Sequence, residues 1–258
     1  KTNCNGNQIC FMKNHPELKK QVFKPIIPQR INGVPGEFPW LSNFDIEAVM
    51  KQIELGNKSF IWGGVIGRDF EVYPNRFHSE IQRLASKDKQ NITTPLIMSI
   101  VNTDKFIGGR GGEHWFAVII NNRNKTLYRF DSYGEKSRNI PEIKQVANQL
   151  NYKYIQNINQ LQYGTSECGM FSLYFVIDYL KKWNRNYIKY KHSKSLGGKQ
   201  NISHILNEFN NKQNLLFNKT IETLQTYKNK ENKPIDRLMV LYRYVLFRKK
   251  TKYDNNEN

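Results

Sequence analysis

Cysteine is scarce in this chain: Cys4, Cys10 and Cys168 are its only three. Three thiols cannot form the disulfide framework that laces small secreted folds, so a reducing compartment is expected. Cys4, Cys10 and His15 could supply part of a zinc site, but a fourth ligand is missing and no metal is expected. Long apolar runs are absent too. No stretch approaches the ~20 residues that cross a bilayer, so no membrane partner is expected. The opening KTNCNGNQIC is no signal peptide. A chain starting without Met is expected to have a processed or trimmed start, in a protein that is not secreted. Acidic residues are few as well: 22 Asp and Glu stand against 40 Lys and Arg, a formal net charge of +18. Such a surface draws polyanions, nucleic acid first, through counterion release. The alternative is that the charge only solvates the chain.

What is present supports a folded body. Apolar residues make up 38% and aromatics 13% of the 258 residues, enough for one substantial core. Residues 1–38 carry scattered Pro and Gly and read as an N-terminal arm. Residues 39–190 hold the periodic segments and read as the core. Residues 191–258, rich in Lys and Asn, read as a basic, mainly helical C-terminal extension. Its last helix, PIDRLMVLYRYVLFRKK, is expected to dock on the body through Leu238, Leu241 and Leu246.

Within the core, WLSNFDIEAVMKQIELGN predicts a helix capped by Ser42 or Asn43, with Asp45 and Glu47 at its positive end and Gly56 beyond its last turn. Ile46, Val49, Met50 and Ile53 fall on one face. SFIWGGVI, PLIMSIV, HWFAVII, TLYRFD and YKYIQNI read as strands, and PEIKQVANQLN as a helix opened by Pro. A long apolar helix is expected from Cys168 to near Trp183. The sum is an α+β fold, a central and mainly antiparallel sheet flanked by helices.

HWFAVIINNRNKTLYRFD places two apolar strands around an Asn-rich turn. Folding about Asn122 and Arg123 pairs Trp115 with Phe130 and sets His114 opposite Asp131, within cross-strand reach. A carboxylate beside histidine fixes its tautomer and stabilises the imidazolium. Such a histidine can take the proton of a thiol. Cys168 follows Thr165 and Ser166, both good caps, and opens the apolar helix, where the dipole and an imidazolium together favour thiolate. Gln162 could give its side-chain amide to an oxyanion beside the Cys168 N–H, and Gly169 leaves room for a substrate backbone. Taken singly, Cys168 reads as a buried small hydrophobe, His114 as a strand-end histidine and Asp131 as a strand terminator. Their conjunction is far more specific.

His-Trp, Asp 17 residues later, then Gln-x5-Cys-Gly together resemble the adenain-like and ubiquitin-like-protease (SUMO-deconjugating) clan of cysteine peptidases. The order His, Asp, Gln, Cys agrees, whereas papain places its cysteine first. Within the clan, VNTDKFIGGRGGEHWFAVII and TSECGMFSLYF are most similar to the polyprotein-processing proteases of large DNA viruses, that of African swine fever virus included. The similarity spans roughly residues 10–185 and covers the basic tail poorly. Some viral relatives place asparagine at the third triad position; Asp131 resembles the ubiquitin-like-protease form.

The resemblance implies a thiol endopeptidase with His114, Asp131 and Cys168 catalytic, Gln162 and Cys168 forming the oxyanion site, and cleavage after Gly-Gly. Trp40 matches the tryptophan that closes over the substrate's diglycine; read without the resemblance it is a hydrophobic staple. Trp115, also on the substrate-binding side, is expected to shield the His–Asp pair from water. Expected partners are protein substrates with Gly-Gly-X sites and, through the basic surface, viral or other DNA. No cofactor is required, with DNA a candidate activator as in adenain. The expected setting is the virion and the cytoplasmic viral factory. A deSUMOylase or deubiquitinase, or a non-catalytic nucleic-acid-binding scaffold on a protease fold, stand as alternatives. The chain holds diglycines of its own; only Gly197-Gly198 is expected in an exposed loop, as an ordinary turn or a self-cleavage point.

Overall fold

The computed structural model describes residues 40–86, 95–109, 112–163, 167–196 and 215–225. All lie within one compact unit, Trp40–Tyr242. The N-terminal arm with Cys4, Cys10 and His15, the caps Thr165 and Ser166, Gly197-Gly198 and the last basic helix lie outside the described residues.

Helix α1, Asn43–Leu55, starts where its sequence predicts. Ser42 is the cap: its hydroxyl accepts from the Asp45 N–H, and the Asp45 carboxylate accepts from the Ser42 N–H at 2.8 Å. Such a reciprocal box stabilises a helix start by about 1 kcal/mol. Leu41 occupies the position before the cap and is buried, as are Ile46 and Met50. The staple position therefore belongs to Leu41, and Trp40 is left 51% exposed.

Strand β1, Phe60–Gly67, pairs in parallel with β2, Leu96–Asn102. Between them runs α2, Arg76–Ala85, a helix the sequence reading overlooked. Its signals are ordinary ones: Asn75 caps it, and Phe77, Ile81 and Leu84 recur on one buried face. β1 lies at one margin of the sheet, and two α1 carboxylates cover its open side. Glu54 accepts from the Trp62 N–H at 2.9 Å, and Glu47 from the Val65 N–H at 2.6 Å and Trp62 Nε1 at 3.0 Å. The register slips between Trp62 and Gly64, where Gly64 takes φ +100°. Gly63 is needed for space: a Cβ there would stand 2.3 Å from Ser99 Oγ and 3.1 Å from Phe77.

Strands β3, Trp115–Asn121, and β4, Thr126–Phe130, complete an antiparallel centre with β2. After β4, helix α3, Pro141–Leu150, returns the chain to β5, Lys153–Gln156, parallel to β4. The sheet order is β1-β2-β3-β4-β5. The α+β class and the antiparallel centre thus hold, while both outer pairings are parallel because each outer connection is a helical crossover. Phe116, Val118 and Ile120 pack with α2 and α3 on one face.

Helix α4, Cys168–Leu196, continues well past the expected end near Trp183. Phe171, Leu173, Phe175 and Val176 are fully buried, and the Phe175 ring stacks on Phe130 at 4.2 Å. The segment 215–225 is a further helix, α5, whose Phe217 stacks on Tyr128 at 4.9 Å. Among the described residues no helix is long and apolar enough to cross a membrane.

Candidate active site

The β3–β4 hairpin corrects one expectation. Its loop is four residues long, 122–125, with Lys125 at φ +49°, so Ala117 rather than Trp115 faces Phe130. The register differs by two residues, an even number. An even shift leaves every side chain on its own face, and an odd one would send His114 and Asp131 to opposite sides. His114 therefore reaches Asp131 along the diagonal, which long side chains span. Its Nε2 lies 2.8 Å from Asp131 Oδ1. Continued past the strand ends, the same register sets His114 across from Tyr133, and the two rings stack with centroids 4.7 Å apart.

Asp131 is fully buried and held from four directions. Its Oδ1 accepts from the Tyr133 N–H at 3.0 Å, and its Oδ2 from Arg129 Nη2 at 3.1 Å. The Asn157 side chain pairs with its backbone, accepting from its N–H and donating to its carbonyl, both at 2.8 Å. Because a carboxylate only accepts, His114 Nε2 carries the shared proton, and Nδ1 is the ring nitrogen left for the thiol.

Cys168 is 2% exposed, as a core thiol would be, and what distinguishes it is its electrostatic coupling to His114, whose pKa it helps to raise. The first intrahelical bond of α4 runs from the Phe171 N–H to the Glu167 carbonyl, so Cys168 is the first helical residue and sits at the positive end of the dipole. Burial works hardest on His114, against the imidazolium. Hydrogen bonds and charge from Asp131 and Cys168 together outweigh it and raise the pKa from 6.5 to about 9. At neutral pH the imidazole is protonated. Histidine, carboxylate and thiol so arranged can deliver a thiolate nucleophile and a proton donor.

Gln162 is fully buried, and its amide orientation is fixed. The Ser132 hydroxyl donates to Oε1 at 2.6 Å, so Nε2 is the presented donor, and it reaches the Tyr133 hydroxyl at 3.4 Å. At Gly169 the space expected for a substrate backbone is occupied from within. A Cβ there would stand 3.1 Å from Leu41 Cβ and 3.3 Å from Trp115 Cδ1. Trp115 itself is buried and donates from Nε1 to the Leu41 carbonyl at 3.0 Å. These contacts join the first turn of α4 to the segment bearing Trp40.

Beside this junction runs a groove of about 530 Å³, lined by Trp40, Ser42, Asn43, Lys105, Phe106 and Trp115 among others. Its far wall is pinned, since Asp69 accepts from the Phe106 and Ile107 N–H groups at 2.8 and 2.9 Å. Sequence reasoning did not find Arg129, Asn157, Ser132 or Tyr133. Of these only Arg129 left a trace, as a cation inside the apolar run TLYRF.

A protein-family model described as the Ulp1 protease family, C-terminal catalytic domain, matches residues 57–206, more than half of the chain. A thiol protease of Acanthamoeba polyphaga mimivirus is 29% identical over 191 residues, which cover 67% of this chain and 60% of that protein. The chain thus spans about 60% of the length of the curated relative it matches. Among solved structures, an ASFV protease aligns with a TM-score of 0.42 and 17% identity, over 65% of this chain and 70% of that one. The SUMO protease Ulp1 aligns with a TM-score of 0.38 and 17% identity, over 62% of this chain and 80% of that one.

Proposed function

The chain belongs to the Ulp1 protease family, and from that premise we propose that it is a cysteine endopeptidase cleaving after Gly-Gly in viral structural precursors. The observation that carries the reading is His114 linked at once to buried Asp131 and to Cys168 in the first turn of α4. Cys168 Sγ, having given its proton to His114 Nδ1, attacks the carbonyl carbon of the second glycine. The oxygen gains the electron pair and is held by the Cys168 N–H and Gln162 Nε2. When the C–N bond breaks, the His114 proton passes to the leaving amine and a thioester remains. Water, deprotonated by His114, then attacks the thioester and frees the glycine carboxyl and the thiol.

The groove supports the substrate class. Trp40 stands half exposed at its edge with Trp115 in its lining, a setting for an extended segment without side chains. The mimivirus relative favours a viral precursor as substrate and the virion and its assembly site as the setting. The charge of +18 favours DNA as a partner or activator. A second reading, an isopeptidase acting on a ubiquitin-like modifier, is favoured by the family match itself. The deciding experiment profiles a library of Gly-Gly-X peptides and a SUMO conjugate, with and without DNA. Short peptides cut by the native chain and untouched by Cys168→Ala support the endopeptidase; cleavage of the folded conjugate alone supports the isopeptidase. Undiminished cleavage by Cys168→Ala would overturn both.

A further inference from the structure

Every residue of β4 is buried, and one of them is an arginine. Arg129 is 2% exposed, and its Nη2 donates to Asp131 Oδ2 at 3.1 Å, the Arg138 carbonyl at 2.7 Å and Ser137 Oγ at 3.4 Å. Its guanidinium carbon lies 4.4 Å over the Phe116 ring, and its charge acts on the Tyr154 phenol of β5, favouring the phenolate against burial. Its Nε has no hydrogen-bond partner among the described residues. Burying a charge and leaving one of its donors unmatched is unfavourable, and an apolar residue of similar size often serves stability as well. A stability role alone does not account for a cation here.

The charges around it do. Running from β4 to α4, the groups are Arg129, Asp131, His114 and Cys168; once the thiol has given its proton to His114, as the proposed mechanism requires, these four alternate in sign and sum to zero. Of the remaining groups, Glu167 is a buried carboxylate next to Cys168 in the chain, and it is common to the native chain and every Arg129 variant, so it drops out of their comparison. Burial raises the Tyr154 pKa against the lowering effect of Arg129, so that phenol stays neutral. Tyr133 meets His114 through its ring face. The Arg138–Glu113 ion pair is about half exposed and screened by solvent.

We propose that Arg129 is a positioning residue that aims Asp131 and balances its charge, and thereby sets the range of pH over which Cys168 and His114 exist as an ion pair. The proposal rests on the triad reading above. Without the guanidinium the buried row carries one net negative charge in its active form. Proton uptake is then favoured at the thiolate and at the imidazole alike, so both limbs of the ion-pair profile move to higher pH. For an uncompensated charge a few ångströms away in a protein interior, the displacement is on the order of one pH unit.

The test uses the full chain and needs no substrate. The rate at which iodoacetate, an anion that the imidazolium attracts, alkylates Cys168 is followed by mass spectrometry of its peptide across both limbs, for the native chain, Arg129→Lys and Arg129→Met. The expected result is a bell-shaped profile in which Arg129→Met raises both limbs by about one unit and Arg129→Lys, which restores the charge, keeps the native limbs. An Arg129→Met profile lowered in height with its limbs in place makes the residue structural only and overturns the proposal. Should Arg129→Met fail to fold, Arg129→Gln gives the same reading. A native profile without a bell would instead sink the triad reading, and absence of Gly-Gly cleavage with the bell intact would sink only the substrate.

Discussion

Gln162 is locked before any substrate arrives. Ser132 holds its Oε1, and the amide sits fully buried beside the His114–Tyr133 stack. A donor that needs no reorganisation acts on the developing oxyanion more than on the ground-state carbonyl. On the oxyanion role proposed for it, Gln162→Ala is expected to lower kcat by about a hundredfold to a thousandfold while KM changes little, which steady-state kinetics on a Gly-Gly reporter would test. Ser132→Ala should give a smaller loss of the same kind, because the amide is then free to turn. At this scale the sequence was informative where residue types carry their own chemistry. His114, Asp131 and Cys168 could be picked out because the hairpin spacing brought the imidazole and the carboxylate together and the order His, Asp, Gln, Cys resembled a known family. Asn157 and Ser132 could not. Their contribution is purely geometric, and nothing in an asparagine announces the backbone it will clamp, or in a serine the side-chain amide it will hold.

The elements that carry these residues were mostly legible from periodicity. Five strands and three helices fall where alternation, caps and turn residues put them. The hairpin register was misplaced because four loop residues were read as two, yet the His114–Asp131 contact survived through the even shift. Helix α2 was overlooked because RFHSEIQRLA mixes charge with its three apolar positions and lies between two conspicuous strands. Two expectations belong to this scale. Gly63→Ala has to place a methyl group against Ser99 and Phe77, so the urea midpoint should drop by an amount equivalent to about 1–3 kcal/mol. Asp69→Ala releases the Phe106 and Ile107 amides that hold the outer wall of the groove. If the groove holds the peptide, as proposed above, its reporter kinetics should show KM raised several-fold with kcat nearly retained, because the wall stands away from the reacting atoms.

For the whole molecule, the coupling of His114 to its partners links stability to pH. Its pKa is raised on folding, so the stabilisation from the imidazolium is fully present below 6.5 and is lost as pH rises through about 9. The urea midpoint should fall across that interval, and the fall should be markedly smaller in His114→Gln. The charge of +18 bears on association instead. Binding to a DNA duplex should weaken linearly on logarithmic axes as salt is raised, with a slope counting the phosphates neutralised; a flat dependence would make the charge incidental. Composition made that expectation legible, but it could not say which surface gathers the charge.

The two carboxylates over β1 have a consequence beyond their own helix. A margin strand with bare amides is a template on which a stranger can continue the sheet. Glu47 and Glu54 answer the Val65 and Trp62 amides with acceptors that have no donor to offer in return. A passing strand therefore finds those positions already taken. A border closed in this way disfavours edge-to-edge association of neighbouring copies of the chain.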